Sequence, residues 1–337
     1  MVSVLYIGNN LRQQGRNTTR MSELGPLLEQ EGYKVTYASS KANKFLRLFD
    51  MLSTCLKNRN QVDHVLIDTY STLNFWYAFF VSQLCRLLKL NYIPILHGGN
   101  LEFRLRNNPL LSRLIFRHAY INIAPSRFIK ETFERYGYSN LKYIPNTVTI
   151  AHYPFKKREM HEAKLFWVRS FSEIYNPQLA VKVLRALKDQ GITASLCMVG
   201  PNSGDGSLEV IKQLAKQLQV EVIFTGKLSK QEWIALSNKY NLFINTTNFD
   251  NMPVSAIEAM ALGLPVVSTN VGGMPHLIEH GTDGMLVAPD DEDEFVAAIK
   301  HLISNPGLVD LITLNARQKV ESFDWTMVKK RWINVLK

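Results

Sequence analysis

Twelve short apolar runs separated by polar or helical stretches constrain this chain more than any other feature. Six lie in the first half: Val2–Ile7, Val35–Ala38, His64–Asp68, Tyr92–Leu96, Tyr120–Ala124 and Lys142–Ile144. Six lie in the second: Leu165–Val168, Ala194–Val199, Val222–Phe224, Leu242–Asn245, Pro265–Ser268 and Met285–Val287. Several are continuously apolar rather than alternating, as expected of strands covered on both faces. Helical periodicity fills gaps between them at Met21–Glu31, Pro177–Gln190, Leu208–Leu218 and Asp293–Ser304. Strand–helix alternation of this kind predicts a doubly wound parallel sheet, and here it occurs twice. The 337 residues suit two domains at roughly 150 residues each. The aperiodic stretch 150–162 holds Pro154 and the charged run 156–159, and reads as the connection. The expected division is a first domain over 1–155, a second over 156–320, and a C-terminal helix over 321–337 returning to the first. Ligands of two such domains are expected in a central cleft, at the C-terminal ends of the strands.

Composition excludes several alternatives. A chain 46% hydrophobic and 20% charged is not disordered. The three cysteines, Cys55, Cys85 and Cys197, are far apart and form no Cys-x-x-Cys pair. Neither a disulfide framework nor a zinc site is expected, and a reducing cytoplasm is the expected compartment. The N-terminus enters an apolar strand without the features of a signal peptide. The most apolar window, Phe75–Leu88, is broken by Ser82, Gln83 and Arg86, so a soluble or peripheral protein is expected.

No phosphate-binding Gly-x-x-x-x-Gly-Lys loop occurs. The first strand is followed by Gly8 and Gly15, with Asn9, Asn10 and Arg16 between or beside them, rather than by Gly-x-Gly-x-x-Gly. A Gly-x-Ser-x-Gly elbow is also absent. His276 and His280 are four apart without an acid between them and read as surface or structural histidines, so no metal site is expected.

Charge divides unevenly. Residues 1–150 carry 19 Lys/Arg and 9 Asp/Glu (19 − 9 = +10), while residues 151–337 carry 20 of each. The whole +10 therefore belongs to the first half. Such asymmetry fits an anionic partner: a membrane surface, a nucleic acid or a phosphorylated substrate. A generally soluble basic surface accounts for it as well. No nucleic-acid-binding motif accompanies the charge, and no nucleic-acid partner is expected.

The most informative segment runs from Phe249 to Met274. The strand at Leu242–Asn245 ends in polar Thr246, Thr247 and Asn248. Pro253 suits the first turn of a helix, and Gly263 ends it before the next strand. The turn around Asp250–Met252 would then present free backbone N–H groups, which attract phosphate or polyol oxygens. Glu258 lies in an otherwise apolar helix and must face a cleft or a hydrogen-bond donor. A capping Asp and a buried Glu tied to backbone would explain both acids without any ligand.

This segment resembles the signature of the family 4 retaining glycosyltransferases, which have the GT-B fold. Their pattern is an acid, seven residues, then Glu in a Glu-Ala-Met-Ala-x-Gly-x-Pro-Val-Val context. Here it is Asp250 followed by Glu258-Ala-Met-Ala-Leu-Gly-Leu-Pro-Val-Val. Gly272-Gly273 and Gly281-Thr-Asp-Gly284 continue the likeness. Upstream, Ile123-Ala-Pro-Ser126, Tyr143-Ile-Pro-Asn146, Phe166-Trp-Val-Arg169 and Met198-Val-Gly200 are similar to other family segments. The likeness covers most of residues 90–310.

The resemblance implies transfer of a sugar from a nucleotide-diphosphate donor to an acceptor hydroxyl, without metal or other cofactor and with the anomeric configuration kept. It implies that Asp250 contacts the donor sugar, Glu258 holds the ribose and Arg169 neutralises the diphosphate. The Asn251–Ser255 turn, including Met252, Pro253 and Val254, would line the donor site, and Gly200 would let the chain approach the nucleotide. His97, in Leu96-His-Gly-Gly99, matches the histidine placed near the reacting sugar. Three departures stand out. The first acid is Asp rather than Glu. The Lys that follows the Arg in the family is missing, since Ser172–Asn176 holds no base; Lys227 is a candidate replacement. The glycine-rich loop after the first strand is reduced.

The implied acceptor is a glycan or lipid-linked molecule, in bacterial surface polysaccharide or lipopolysaccharide assembly at the inner face of the plasma membrane. Residues 41–57 support this independently. Phe45, Leu48, Phe49, Leu52 and Leu56 fall within one helical sector of roughly 100°, with Lys44, Arg47 and Lys57 outside it. A basic amphipathic helix of this kind lies in a membrane interface or packs its stripe on the sheet. A second basic and apolar cluster follows from Phe103 to His118. Alternatives are a donor-binding relative without transfer activity, or another GT-B enzyme such as a phosphorylase or epimerase.

Overall fold

A computed structural model describes residues 1–10, 20–98 and 100–337. Gly15 and Arg16, noted above, lie outside the described residues. The chain forms two compact units, Met1–Thr147 with Trp325–Lys337, and Val148–Asp324.

The first unit is built on a parallel sheet of β1 (Ser3–Ile7), β2 (Lys34–Ala38), β3 (His64–Thr69), β4 (Asn91–Leu96), β5 (Asn122–Ala124) and β6 (Leu141–Tyr143), in the order β2-β1-β3-β4-β5-β6. Alternate residues of its strands feed two cores, as the two-residue strand period requires. Val4, Tyr6, Leu66, Ile93 and Ile95 pack on one face with Trp325, Val328 and Trp332 of the helix Trp325–Leu336. Leu5, Ile7, Val65, Ile67 and Tyr92 pack on the other with Met51, Cys55, Ala78 and Cys85.

The second unit carries β7 (Ala163–Val168), β8 (Ala194–Val199), β9 (Val222–Gly226), β10 (Leu242–Asn245), β11 (Val266–Thr269) and β12 (Met285–Val287), also all parallel, in the order β12-β11-β10-β7-β8-β9. This is the strand order of a dinucleotide-binding sheet, with its reversal between β7 and β10. Leu165, Trp167, Leu196, Met198, Leu242 and Ile244 pack on one face against Leu179 and Val183. Phe166, Cys197, Val199 and Phe243 pack on the other against Ala256, Ile257 and Met260. Each of the twelve apolar runs overlaps a strand, and all three cysteines are buried and free.

Three readings of the sequence need correction. Residues 150–162 do not lie between the units. They belong to the second, because Tyr153 and Met160 are buried in its cores and Arg158 is fixed by the carbonyls of Ser237, Tyr240 and Leu262. The expected boundaries after residues 155 and 320 accordingly fall inside this unit. Pro253 is not in the first turn of the helix Val254–Ala261 but precedes it, with an extended backbone at φ −66° and ψ 122°. In the helix Lys44–Asn58 the fully buried face is Arg47, Met51 and Cys55 rather than the expected apolar sector, outside which Arg47 does lie. Its guanidinium donates to the carbonyls of Lys41 and Ala42 and to Asn9 Oδ1, so its charge is held by fixed dipoles.

Candidate active site

In the second unit the strand order reverses between β7 and β10, the point at whose C-terminal strand ends sheets of this kind bind their ligands. The segments leaving those strands bring Arg169 and Asp250 together. Arg169 follows β7, and its backbone N–H donates to the Val199 carbonyl at 3.0 Å. Its guanidinium forms an ion pair with Asp250, and both side chains are only 15% exposed. The same guanidinium carbon lies 4.2 Å from the centre of the Tyr175 ring. Burial draws the Arg169 pKa down, and the Tyr175 phenol opposes that shift. A forked, permanently charged group held in this way suits an anionic ligand.

The loop from β10 is fixed by side chains with defined partners. Trp167 Nε1 donates to Thr246 Oγ1 at 3.1 Å, and Thr246 Oγ1 donates to the Tyr175 carbonyl at 3.0 Å. Asp250 Oδ1 accepts the Asn251 backbone N–H at 2.7 Å, and the Asp250 carbonyl accepts the Gly273 N–H at 2.8 Å. Glycines make the close approaches possible. A Cβ on Gly200 would meet the Arg169 carbonyl, and Cβ atoms on Gly272 and Gly273 would meet the carbonyls of Asp250 and Asn251. Gly200 thus seats the Arg169 backbone within this unit.

The helix Val254–Ala261 starts immediately after Asn251, Met252 and Pro253, all buried. Its first-turn N–H groups have no intrahelical acceptor. Ser255 Oγ, buried in that turn, has no hydrogen-bond partner among the described residues. One turn further, Glu258 is 4% exposed. Its Oε1 accepts the Tyr153 hydroxyl at 2.7 Å and is ion-paired with Lys230 Nζ. The requirement that this carboxylate face a donor is therefore met twice.

Two of these partners were not found by sequence reasoning. Tyr153 stands in a stretch read as linker. Lys230 opens the helix Lys230–Ser237, whose start is marked by the Ser229–Glu232 capping box. Lys227 lies on the exposed approach to that helix, and Lys230 is the residue that reaches Glu258.

His97 belongs to the first unit, just after β4. It is 6% exposed, and its Nε2 is 2.9 Å from Asp68 Oδ1. Asp68 lies in β3 and also accepts the Tyr6 hydroxyl at 3.1 Å. Tyr70 stacks on the imidazole at 5.1 Å between ring centres. Asp68 Oδ2 is buried without a hydrogen-bond partner among the described residues. A small cavity beside His97 is lined by Tyr6, Arg20, Glu23, Asn146 and Trp332. Asp68 was missed in the sequence, although a buried acid at a strand's C-terminal end was a readable signal. Among the described residues, no group of three or more His, Cys, Asp or Glu side chains is placed to hold a metal ion.

A family model described as glycosyl transferases group 1 matches residues 150–319, just over half of the chain. The chain belongs to the group 1 glycosyltransferases. An uncharacterized glycosyltransferase, MJ1607, of Methanocaldococcus jannaschii is 29% identical over 139 residues, which is 40% of this chain and 36% of that protein. The amylovoran biosynthesis glycosyltransferase AmsK of Erwinia amylovora is 30% identical over 151 residues, 43% of this chain and 37% of that protein. The chain thus spans somewhat over a third of the length of these two curated relatives. The structure of Anabaena Alr3699/HepE in complex with UDP-glucose superposes with a TM-score of 0.81 at 18% identity, covering 100% of this chain and 99% of that one. The group 1 glycosyltransferase therefore has the GT-B fold expected from its sequence.

Proposed function

We propose that this chain is a retaining glycosyltransferase that moves a sugar from a nucleotide-diphosphate donor to a hydroxyl of a glycan or lipid-linked acceptor. The observation that carries the reading is the segment from Asp250 to Glu258. Its two acids flank a buried helix N-terminus, and each is ion-paired with a cation. Glu258 would accept the ribose hydroxyls, Asp250 would accept hydroxyls of the sugar, and Arg169 with the first-turn amides would hold the diphosphate. In the reaction, the bond from the anomeric carbon to the β-phosphate oxygen breaks. A bond to the acceptor oxygen forms on the same face. The acceptor proton passes to the departing phosphate. Stabilising that charge and positioning the acceptor supply the rate, and no metal or cofactor is assigned a step. His97, steadied by Asp68, is the residue of the first unit to which the resemblance gives a part in transfer.

AmsK, named for amylovoran biosynthesis, and the HepE structure, which holds UDP-glucose, support a polysaccharide role and a nucleotide-sugar donor. Surface polysaccharide or lipopolysaccharide assembly at the inner membrane face is the proposed setting. Among the described residues no single helix is long and apolar enough to cross a membrane. The first unit nevertheless exposes large apolar side chains. Phe45 is 84% exposed and Phe49 72% exposed on the helix Lys44–Asn58, and Trp76 and Phe80 are exposed on the adjoining helix Asn74–Leu87. Two of the five residues of the expected apolar stripe, Leu48 and Leu52, pack inward, and the other three are exposed. With the +10 charge of residues 1–150, this surface complements an anionic bilayer.

Donor turnover is the test. A thermal-shift screen against nucleotide sugars identifies the donor. Transfer is then compared for wild type, Arg169→Ala and Glu258→Gln. Losses of at least roughly a hundredfold in kcat/KM are expected for both. Near wild-type transfer by both variants would exclude this site. Donor binding without transfer or hydrolysis by wild type would favour a binding protein, and sugar phosphate or an epimerised donor as product would favour a phosphorylase or epimerase.

A further inference from the structure

We propose that Lys230 is the second cation of the donor diphosphate site, supplying the charge that the segment after Arg169 lacks. The inference rests on the donor-site reading above. A nucleotide sugar is linear: ribose, diphosphate, sugar. With the ribose on Glu258 and the sugar on Asp250, the diphosphate lies between the two acids, over the first turn of the helix Val254–Ala261. Each acid already holds a cation, Arg169 at the sugar end and Lys230 at the ribose end. The two cations therefore bracket the diphosphate.

Several observations distinguish Lys230 from a merely structural partner. Glu258 has a second donor, the Tyr153 hydroxyl, so the buried carboxylate keeps a hydrogen bond when Lys230 turns away. The Lys230 side chain is 41% exposed against 5% for Glu258, which leaves the ammonium open to an incoming anion. The capping box of Ser229 and Glu232 fixes the backbone from which it projects. Ser172–Asn176, where the family carries its lysine, holds no base. Tyr175 from that segment lies against the Arg169 guanidinium instead. A departing nucleoside diphosphate with one arginine would be poorly compensated. On donor arrival Glu258 exchanges the ammonium for ribose hydroxyls, and Lys230 moves to the α-phosphate oxygens beside the ribose. A flexible lysine stem permits this exchange.

The test compares ligands that differ only in phosphate. Whichever of UDP, GDP, ADP and dTDP stabilises the wild-type chain most is titrated by calorimetry, together with its nucleoside monophosphate and its nucleoside. Lys230→Gln keeps a hydrogen-bond donor for Glu258 and removes the charge. We expect it to weaken the diphosphate roughly tenfold, the monophosphate less, and the nucleoside less than about twofold. Lys230→Arg should restore most of the diphosphate affinity, and its charge is retained should the neutral variant fold poorly. An unchanged diphosphate affinity, or equal loss for diphosphate and nucleoside, would overturn the assignment of Lys230 while leaving the donor site in place. Failure of all four diphosphates to bind wild type would overturn the donor-site reading, and this assignment with it.

Discussion

Tyr153 donates its hydroxyl to Oε1 of Glu258 at 2.7 Å, from a segment 105 positions earlier in the chain. Both side chains are at least nine-tenths buried. A carboxylate in such a place is stabilised only by fixed donors, and loss of one is felt directly. Tyr153→Phe should lower the unfolding free energy by about 1.5–3 kcal/mol, the usual worth of a hydrogen bond to a charged group. It should also weaken nucleotide binding, because Glu258 would be less well oriented. Chemical denaturation and nucleotide titration check the two effects. Unchanged stability would show that Lys230 alone suffices to hold Glu258.

The sequence made most of the fold legible because parallel strands buried on both faces leave unbroken apolar runs. Six such runs per unit, with helical periods between, lead to two doubly wound sheets. The donor-site acids were legible for a related reason: Asp250 and Glu258 sit on one contiguous segment whose turn, helix and stop signals are local. Their partners were not. Tyr153 and Lys230 reach Glu258 from 105 and 28 positions away, and only tertiary packing brings them there. The stretch around Tyr153 lacks periodicity because it is irregular chain pinned residue by residue, through Tyr153, Arg158 and Met160. The burial of Arg47 was not legible because it depends on backbone carbonyls at Lys41 and Ala42, which no side-chain period records.

Asp68 holds the His97 imidazole through Nε2 at 2.9 Å while Tyr6 donates to the same carboxylate oxygen. If His97 takes part in transfer, loss of its orienting partner should slow that step without touching the donor-binding residues. Asp68→Asn is expected to reduce kcat by roughly 10²-fold or more, with the donor dissociation constant unchanged within about twofold. Transfer kinetics alongside donor titration separate the two. A parallel loss of donor affinity would contradict the assignment.

His64 in β3 is 5% exposed, its Nδ1 has no hydrogen-bond partner among the described residues, and Tyr120 tilts against the ring at 5.5 Å. Burial lowers its pKa below the ordinary 6.5, and Asp63 offsets part of that shift. Between the lowered folded pKa and 6.5, the unfolded chain binds more protons than the folded chain. Stability contributed by neutral His64 is therefore present above pH 6.5 and is lost as pH falls below it. Urea midpoints at pH 7.5 and pH 5.5 should show the loss, and His64→Asn should make the first unit less sensitive to that change. An identical pH slope in the variant would assign the acid sensitivity elsewhere.

Phe45 and Phe49 are 84% and 72% exposed, so replacing them removes little packing within the chain. The double substitution Phe45→Ser and Phe49→Ser should leave the melting temperature within about 2 °C, as surface changes usually do. The same change should abolish sedimentation with vesicles rich in anionic phospholipid if these rings enter the bilayer interface. Wild-type binding should require the anionic lipid and fall as salt rises, because the attraction also draws on the positive charge of residues 1–150. Equal, salt-insensitive binding to neutral and anionic vesicles would reject an electrostatic docking surface. Vesicle binding retained by the double variant would place the contact elsewhere on the chain.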